Sequence, residues 1–266
     1  MRKNERLKGK TVAITGSSGG LGEQIAYRCA ARGANLVLLA RNLKKLKQMA
    51  KNIREKYGVD CLPLNLDLSR HEDIPAVFRD IFEQVGHIDV LVNNAGYGIF
   101  AEAKDVTPAD VEGMFAVNVV GMIVCTKEVI PSMRRRKNGH IINISSQAGK
   151  LATPKSSVYS ATKHAVLGYT NSLRMELAGD DVFVTAVNPG PMATNFFELA
   201  DPSGNYVKNI GRHILSTERV SEQVVDAMLK KRREINLPGW MNVGSILYTL
   251  FPSLVERLGK KAFFKK

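Results

Sequence analysis

The chain has 266 residues and 44% hydrophobic content, enough for a sizeable core and far from the composition of a disordered or fibrous protein. Its formal net charge is +13, but the basic clusters at 134–137, 230–233 and 260–266 are dispersed at element ends with no nucleic-acid motif beside them, so they read as solvated surface and no nucleic-acid partner is expected. Cys29, Cys61 and Cys125 stand apart inside apolar segments, which excludes a disulfide framework and a cysteine metal site.

No apolar stretch precedes the first strand, and no segment reads as the ~18 or more apolar residues of a spanning helix, so a cytoplasmic protein is expected. Thr11–Thr15, Asn35–Ala40, Asp60–Asn65, Ile88–Asn93, His140–Ile144 and Val182–Asn188 read as strands; residues 20–32, 42–57, 71–85, 107–136 and 157–178 carry the apolar spacing of helices. Strand, helix, strand in strict alternation predicts a doubly wound, mostly parallel α/β sheet with helices on both faces. No repeat or Gly/Ser/Pro-rich linker divides the chain, so residues 1–266 are expected to form a single domain, with 1–9 as an N-terminal extension.

The turn after the first strand, Thr15-Gly-Ser-Ser-Gly-Gly-Leu-Gly22, opens a helix, which is the context a dinucleotide-binding loop requires. Glycines let the backbone approach a pyrophosphate, and a helix N-terminus offers free amides to its negative charge. Gly16, Gly20, Leu21 and Gly22 are therefore candidate cofactor residues, with a Gly-rich turn that binds nothing as the competing reading. At the end of the second strand, Leu39-Ala40-Arg41-Asn42 lacks the Asp or Glu that usually holds an NAD ribose. Arg41 is a planar donor suited to a 2′-phosphate, so NADP(H) is expected in preference to NAD(H), with Ser17, Ser18 and Asn42 as helpers. Alternatively, Arg41 only begins the Lys-rich helix that follows.

In Tyr159-Ser-Ala-Thr-Lys163, helical spacing places Tyr159 and Lys163 one above the other. A cation a few ångströms from a phenol lowers its pKa from near 10 by ~1–3 units, toward the range of a general acid–base. Such pairs also occur on solvated helix faces, so this one gains weight from its surroundings. Gly139–Ser146 reads as a buried strand ending in two hydroxyls, a usual place for chemistry in an open α/β sheet. His164 points about 100° around the helix from Lys163 and receives no role.

With these motifs the chain resembles the single-domain short-chain dehydrogenase/reductases. Thr15–Gly22 has that family's T-G-x-x-x-G-x-G form, Ser146 lies thirteen residues before Tyr159 in Tyr-x-x-x-Lys, and Asn118 lies further upstream. The likeness covers roughly residues 11–194 in the expected order. It implies a Rossmann-type fold and NADP(H)-dependent hydride transfer between nicotinamide and a carbonyl or secondary alcohol. Asn118, Ser146, Tyr159 and Lys163 would be catalytic: Ser146 and Tyr159 on the carbonyl oxygen, Lys163 on the tyrosine and the nicotinamide ribose, and Asn118 helping to hold a water beside the lysine. Asp67 and Leu68 would meet the adenine, Asn94, Ala95 and Gly96 would close the fourth strand against the cofactor, and Pro189, Gly190, Met192 and Thr194 would lie beside the carboxamide. A homodimer or homotetramer through helices 107–136 and 157–178 is also implied.

Residues 195–216 would form the loop over the substrate, and Phe196, Phe197 and Tyr206 suit an apolar pocket. The segment 237–266 places Trp240, Val243, Ile246, Leu247, Leu250, Phe251, Leu254 and Leu258 at helical spacing, with Pro252 bending the run and lysines following. It can close the substrate cleft, pack on another subunit, or rest peripherally in a membrane interface. Three functional readings follow: a carbonyl reductase or alcohol dehydrogenase, for which this tail favours a lipid-like or steroid-like ketone; a 3-oxoacyl-thioester (acyl-carrier-protein) reductase, whose acidic partner the basic surface would suit; and a non-catalytic NADP-sensing protein, against which the complete set of Asn118, Ser146, Tyr159 and Lys163 stands.

Overall fold

The computed structural model describes residues 5–201, 204, 208, 211 and 214–263. Seven parallel strands form one sheet: β1 (Thr11–Thr15), β2 (Asn35–Ala40), β3 (Cys61–Asn65), β4 (Val90–Asn93), β5 (Gly139–Ile144), β6 (Val182–Pro189) and β7 (Glu234–Leu237), in the spatial order β3-β2-β1-β4-β5-β6-β7. The order reverses between β1 and β4, which pair through Val12, Ala13 and Ile14 with Val90, Leu91 and Val92. A crevice opens at the carboxyl ends of strands at such a reversal, and helix N-termini face it.

Both faces of the sheet are covered, which explains why β1, β4 and β5 are buried at every position and read as continuous runs without alternation. On one face, α1 (Gly20–Ala30) and α2 (Leu43–Tyr57) bring Leu21, Ile25, Leu46 and Ile53 against Val12, Ile14, Leu36 and Leu38. α8 (Thr217–Ala227) joins them through Val220, Val224 and Val225. On the other face lie α3 (Ile74–Val85), α5 (Met122–Arg136) and α6 (Ser157–Glu176), with Phe78, Ile81, Cys125, Val129 and Leu173 against Ala13, Val37, Leu91 and Ile141. α4 (Pro108–Phe115) leads into α5 through a π-helical turn at Ala116–Gly121, and a short α7 (Phe196–Ala200) follows β6.

The predicted strands and helices fall on observed elements, with ends shifted by up to three residues. Three elements were not predicted: the short α7, which falls in the segment expected as a loop, and β7 and α8. β7 has only four residues, with Ile235 alone fully buried, too few to display a period, and α8 lies beyond the variable loop. A further difference concerns the helix over Pro108–Arg136, which is long and apolar enough to cross a membrane by length and composition, contrary to the sequence expectation. Its Met114, Cys125, Val129 and Met133 are fully buried in the fold, and a core helix passes the same test. The predicted bend at Pro252 is a break: α9 (Gly239–Leu250) ends at Phe251, and Pro252 starts α10 (Pro252–Phe263).

Two buried polar clusters fix the ends of strands. Asp89 is 1% exposed; it accepts from the Thr11 backbone N–H at 3.0 Å and from Arg136 Nη1 at 3.0 Å, tying the start of β1 to the end of α5. His140, on β5, accepts at Nδ1 from the Leu229 N–H (2.9 Å), so Nε2 carries the proton and donates to Thr185 Oγ1 (2.8 Å), which donates onward to the Arg232 carbonyl. Burial, aided by Arg6, pushes the His140 pKa down to about 3. The unfolded chain therefore binds a proton near pH 6.5 that the folded chain refuses, so the folded state loses stability as pH falls below 6.5. We expect acidification from pH 7 to 5 to cost the wild type about 2 kcal/mol more than a His140→Asn variant, at 1.36 kcal/mol per unit. Urea denaturation of both proteins at the two pH values checks this; parallel losses would refute it.

Candidate active site

The crevice is anchored by a clasp between the loops that follow β1 and β4. Thr15 Oγ1 accepts from the backbone N–H groups of Asn94 and Ala95, both at 3.0 Å, while Asn94 Nδ2 donates to the carbonyls of Thr15 (3.0 Å) and Gly16 (3.2 Å). A side chain on Gly16 would put its Cβ 2.8 Å from Ala95 Cα, and one on Gly22 would lie 2.5 Å from the Gly16 carbonyl oxygen. Gly16 also has φ +64°, so glycine is required there by conformation and by space.

Gly19 precedes α1 as its cap residue, with extended backbone and no side chain to cap the helix. The unpaired first-turn amides of α1 thus face the cleft, bordered by Gly16, Ser18, Gly19, Gly20 and Leu21. That cradle fits a pyrophosphate. Ser17 and Gly22 do not line it. Ser17 is fully buried and its hydroxyl donates to the Leu39 carbonyl at 3.5 Å, so its helper role is corrected to a structural one; Gly22 serves the clasp, packed against Asn94 and Gly16.

Arg41, Asn42, Asp67 and Leu68 line the far end. Asn42 Oδ1 caps α2 by accepting from the Lys45 N–H (3.0 Å), and Arg41 is exposed at the rim with its carbonyl held by Asn65 Nδ2 (2.7 Å). Asp67 accepts from the N–H and the hydroxyl of Ser69, at 3.0 and 2.7 Å. Burial works to raise its pKa, but the Ser69 bonds together with Arg41 and Arg70 outweigh it and hold the carboxylate below its ordinary range. Asp67 is thus a turn residue and a cleft residue at once.

Tyr159, Lys163 and Ser146 converge at the centre of the cleft. Lys163 is 5% exposed; its Nζ donates to the Ile144 carbonyl (3.0 Å) and stands 5.7 Å from the centroid of the Tyr159 ring. Burial alone brings the Lys163 pKa down to about 8. Ser146 Oγ accepts from the Ala148 N–H (3.0 Å), capping the short 3₁₀ turn Gln147–Gly149, and reaches the Pro189 carbonyl only at 3.5 Å. Its neighbour Ser145, also on the cleft wall, is buried and its hydroxyl donates to the Lys163 carbonyl (3.1 Å), so that hydroxyl braces α6.

Asn118 does not line the cleft. It sits in the π-helical turn, accepting from the Tyr97 N–H (2.9 Å) and donating to the Tyr97 carbonyl (2.8 Å) and Thr162 Oγ1 (3.1 Å). Its side chain is therefore spent on fastening the loop after β4 to α6, behind Gly96, where an added Cβ would lie 3.0 Å from Asn118 Oδ1 and 3.5 Å from Lys163 Nζ. Ala95, Gly96, Pro189, Gly190, Met192 and Thr194 all line the cleft.

The remaining wall is apolar. Phe196 and Phe100 approach the Tyr159 ring with centroids 5.5 and 5.9 Å away, and Phe197 packs on both phenylalanines. Trp240 and Met241 close the cleft from α9. α9 is held by Lys150, whose ammonium pairs with Glu234 on β7 and donates to Asn242 Oδ1 at 3.3 Å. Trp240 belongs to the C-terminal stripe for which closing the cleft was one expectation, whereas Phe100 and Met241 were not predicted as cleft residues; Phe100 follows a Gly-Tyr-Gly-Ile stretch with no period to reveal it. Tyr206 lies outside the described residues. The cleft encloses about 1120 Å³, roomy enough for a dinucleotide and a second molecule.

Residues 10–203 match the family model for short chain dehydrogenases. The chain belongs to that family. It is 32% identical over 271 residues to 11-beta-hydroxysteroid dehydrogenase 1A of Arabidopsis thaliana, covering 95% of this chain and 75% of that one. Among solved structures it resembles a short-chain dehydrogenase from Sphingobium yanoikuyae in complex with NADPH (TM-score 0.79, 27% identity, 92% and 96% of the two chains). It likewise resembles a 3-ketoacyl-(acyl-carrier-protein) reductase from Brucella melitensis complexed with NADH (TM-score 0.78, 28% identity, 87% and 97%). The family is one of oxidoreductases acting on small molecules, and neighbours of both cofactor types stand equally near.

Lys163 gives the site a measurable signature. Its folded-state pKa of about 8 lies below the ordinary 10.5, so the folded protein releases this proton first and gains stability from it between pH 8 and 10.5. Replacing a buried charge by an apolar side chain of similar length is often neutral or stabilising. Lys163→Met is therefore expected to melt no lower than the wild type at pH 7, with any advantage shrinking by about 1.4 kcal/mol per pH unit above 8. Thermal melts of the two proteins at pH 7 and 9.5 provide the check; a constant difference would overturn it.

Proposed function

We propose that the protein is an NADP(H)-dependent oxidoreductase interconverting an apolar ketone and its secondary alcohol, with Tyr159 as general acid–base. The observation that carries this reading is the placement of Tyr159 between a buried cation and an aromatic wall, with the Ser146 hydroxyl in the same cleft. When bound, the nicotinamide supplies or accepts the hydride; the chain's own groups handle the oxygen and its proton.

A ketone oxygen seated against Ser146 and Tyr159 accepts a hydrogen bond from each hydroxyl, and negative charge growing on that oxygen strengthens both. In the reducing direction Tyr159 gives up its proton to the new alkoxide, and the nearby Lys163 ammonium stabilises the phenolate left behind. In the oxidising direction the same phenolate takes the proton back. Asn118 acts through Tyr97 and Thr162, keeping the loop and α6 in register.

Cofactor choice rests on Arg41, because the two neighbouring complexes hold one cofactor of each type. No carboxylate stands at the end of β2 to take a ribose 2′-OH, while a guanidinium at the rim suits a 2′-phosphate. Phe100, Phe196, Phe197 and Met241 favour an apolar substrate. Self-association through the long helices would cover Val120 and Met175, which are exposed on them.

Two measurements test the reading. Arg41→Ala should weaken NADPH binding by roughly 10- to 100-fold while leaving NADH nearly unchanged, as expected for loss of a charged hydrogen bond. Equal losses for both cofactors would remove the argument for NADP(H). Tyr159→Phe should bind NADPH like the wild type and reduce apolar ketones at least about 10²-fold more slowly; retention of turnover would overturn the assigned proton donor.

A further inference from the structure

The outer face of the C-terminal helix pair is unlike the rest of the surface. Eight of the eleven large apolar side chains exposed among the described residues lie between Trp240 and Leu258. Residues 238–255 contain no charged side chain at all, in a chain with 38 basic and 25 acidic residues. Monomeric soluble proteins rarely leave such a stripe open to water. At 12 residues each, α9 and α10 are about 18 Å long, too short to span a bilayer but suited to lie in its interface.

Charge decides between the possible occupants. From residue 256 onward the sequence carries one acid, Glu256, against Arg257, Lys260, Lys261, Lys265 and Lys266. A second copy would bring the same basic segment, on a chain of net charge +13, against its like. An anionic lipid surface offers the apolar and the electrostatic complement together. The stripe also meets the cleft: Trp240, 60% exposed, and Leu199, 56% exposed, belong both to the exposed apolar set and to the cavity wall. Lys150, paired with Glu234 and Asn242, holds the first turn of α9 against the cleft while the outward face stays open.

We propose that α9 and α10 form a docking surface for anionic membranes, which seats the mouth of the cleft at the lipid interface. The docking does not depend on the catalytic reading, since it uses none of the residues assigned to chemistry.

The chain's sole tryptophan, Trp240, reports on the contact directly. Vesicles of phosphatidylcholine with one part in four of phosphatidylglycerol, at low salt, should shift Trp240 emission to the blue, and lipids brominated on their acyl chains should quench it. Co-sedimentation with these vesicles should exceed that with pure phosphatidylcholine by roughly tenfold and weaken as salt is raised. The combined variant Leu247→Asp, Leu250→Asp, Leu254→Asp, changing only exposed positions, should abolish both signals while keeping the wild-type melting curve. Tyr159→Phe should bind vesicles unchanged even where reduction is lost. No binding at low salt, equal binding to neutral vesicles, or binding that survives the three aspartates would each overturn the proposal. So would a stable dimer that the three aspartates dissociate, which would assign the stripe to a second copy of the chain.

Discussion

The buried ammonium of Lys163 is the constraint to which the rest of the site answers. Taking a charge out of water is costly, and the usual remedy is a nearby carboxylate. Here burial lowers its pKa, and among the described residues its ammonium donates to the Ile144 carbonyl. The protein keeps a positive charge that it has not neutralised itself. The Tyr159 ring stands beside that charge, with its centroid 5.7 Å from the ammonium, and oxygen-rich groups entering the cleft are drawn to it. Holding such a group demands a rigid surround, which the sheet, the Ser145 bond to the Lys163 carbonyl and the Asn118 fastening supply.

The fold was legible because its signals are local. A buried parallel strand is a short apolar run, and the glycines at 16 and 22 are dictated by contacts that a side chain would violate. The central triad was legible for a similar reason: Tyr159 and Lys163 share one helix, and Ser146 ends the strand that feeds it. Ser17 and Asn118 were harder. Their neighbours in sequence say that a polar residue is present, but only the folded chain shows that its hydrogen bonds turn inward, to Leu39 for one and to Tyr97 and Thr162 for the other.

The substrate half of the cleft was the least legible part. Its wall is assembled from Phe100, Phe196, Phe197, Trp240 and Met241, which come from three separate segments and meet only through the positions of β4, β6 and β7. No period links them. β7 is itself nearly silent in sequence, yet it carries Glu234, the partner of Lys150, and so sets where α9 begins. The helix whose apolar stripe was visible from spacing alone is placed by a strand that was not.

Ser146 holds one further consequence. Its oxygen already serves the Ala148 N–H, while its proton is tethered only to the distant Pro189 carbonyl, at the limit of hydrogen-bonding reach. One lone pair is committed and the hydrogen is barely claimed. A hydroxyl wired in this way is polarised as a donor in waiting. Under the proposed function, a substrate oxygen would need only to outcompete a bond of little strength, with no side chain rotating out of a well-made contact to receive it.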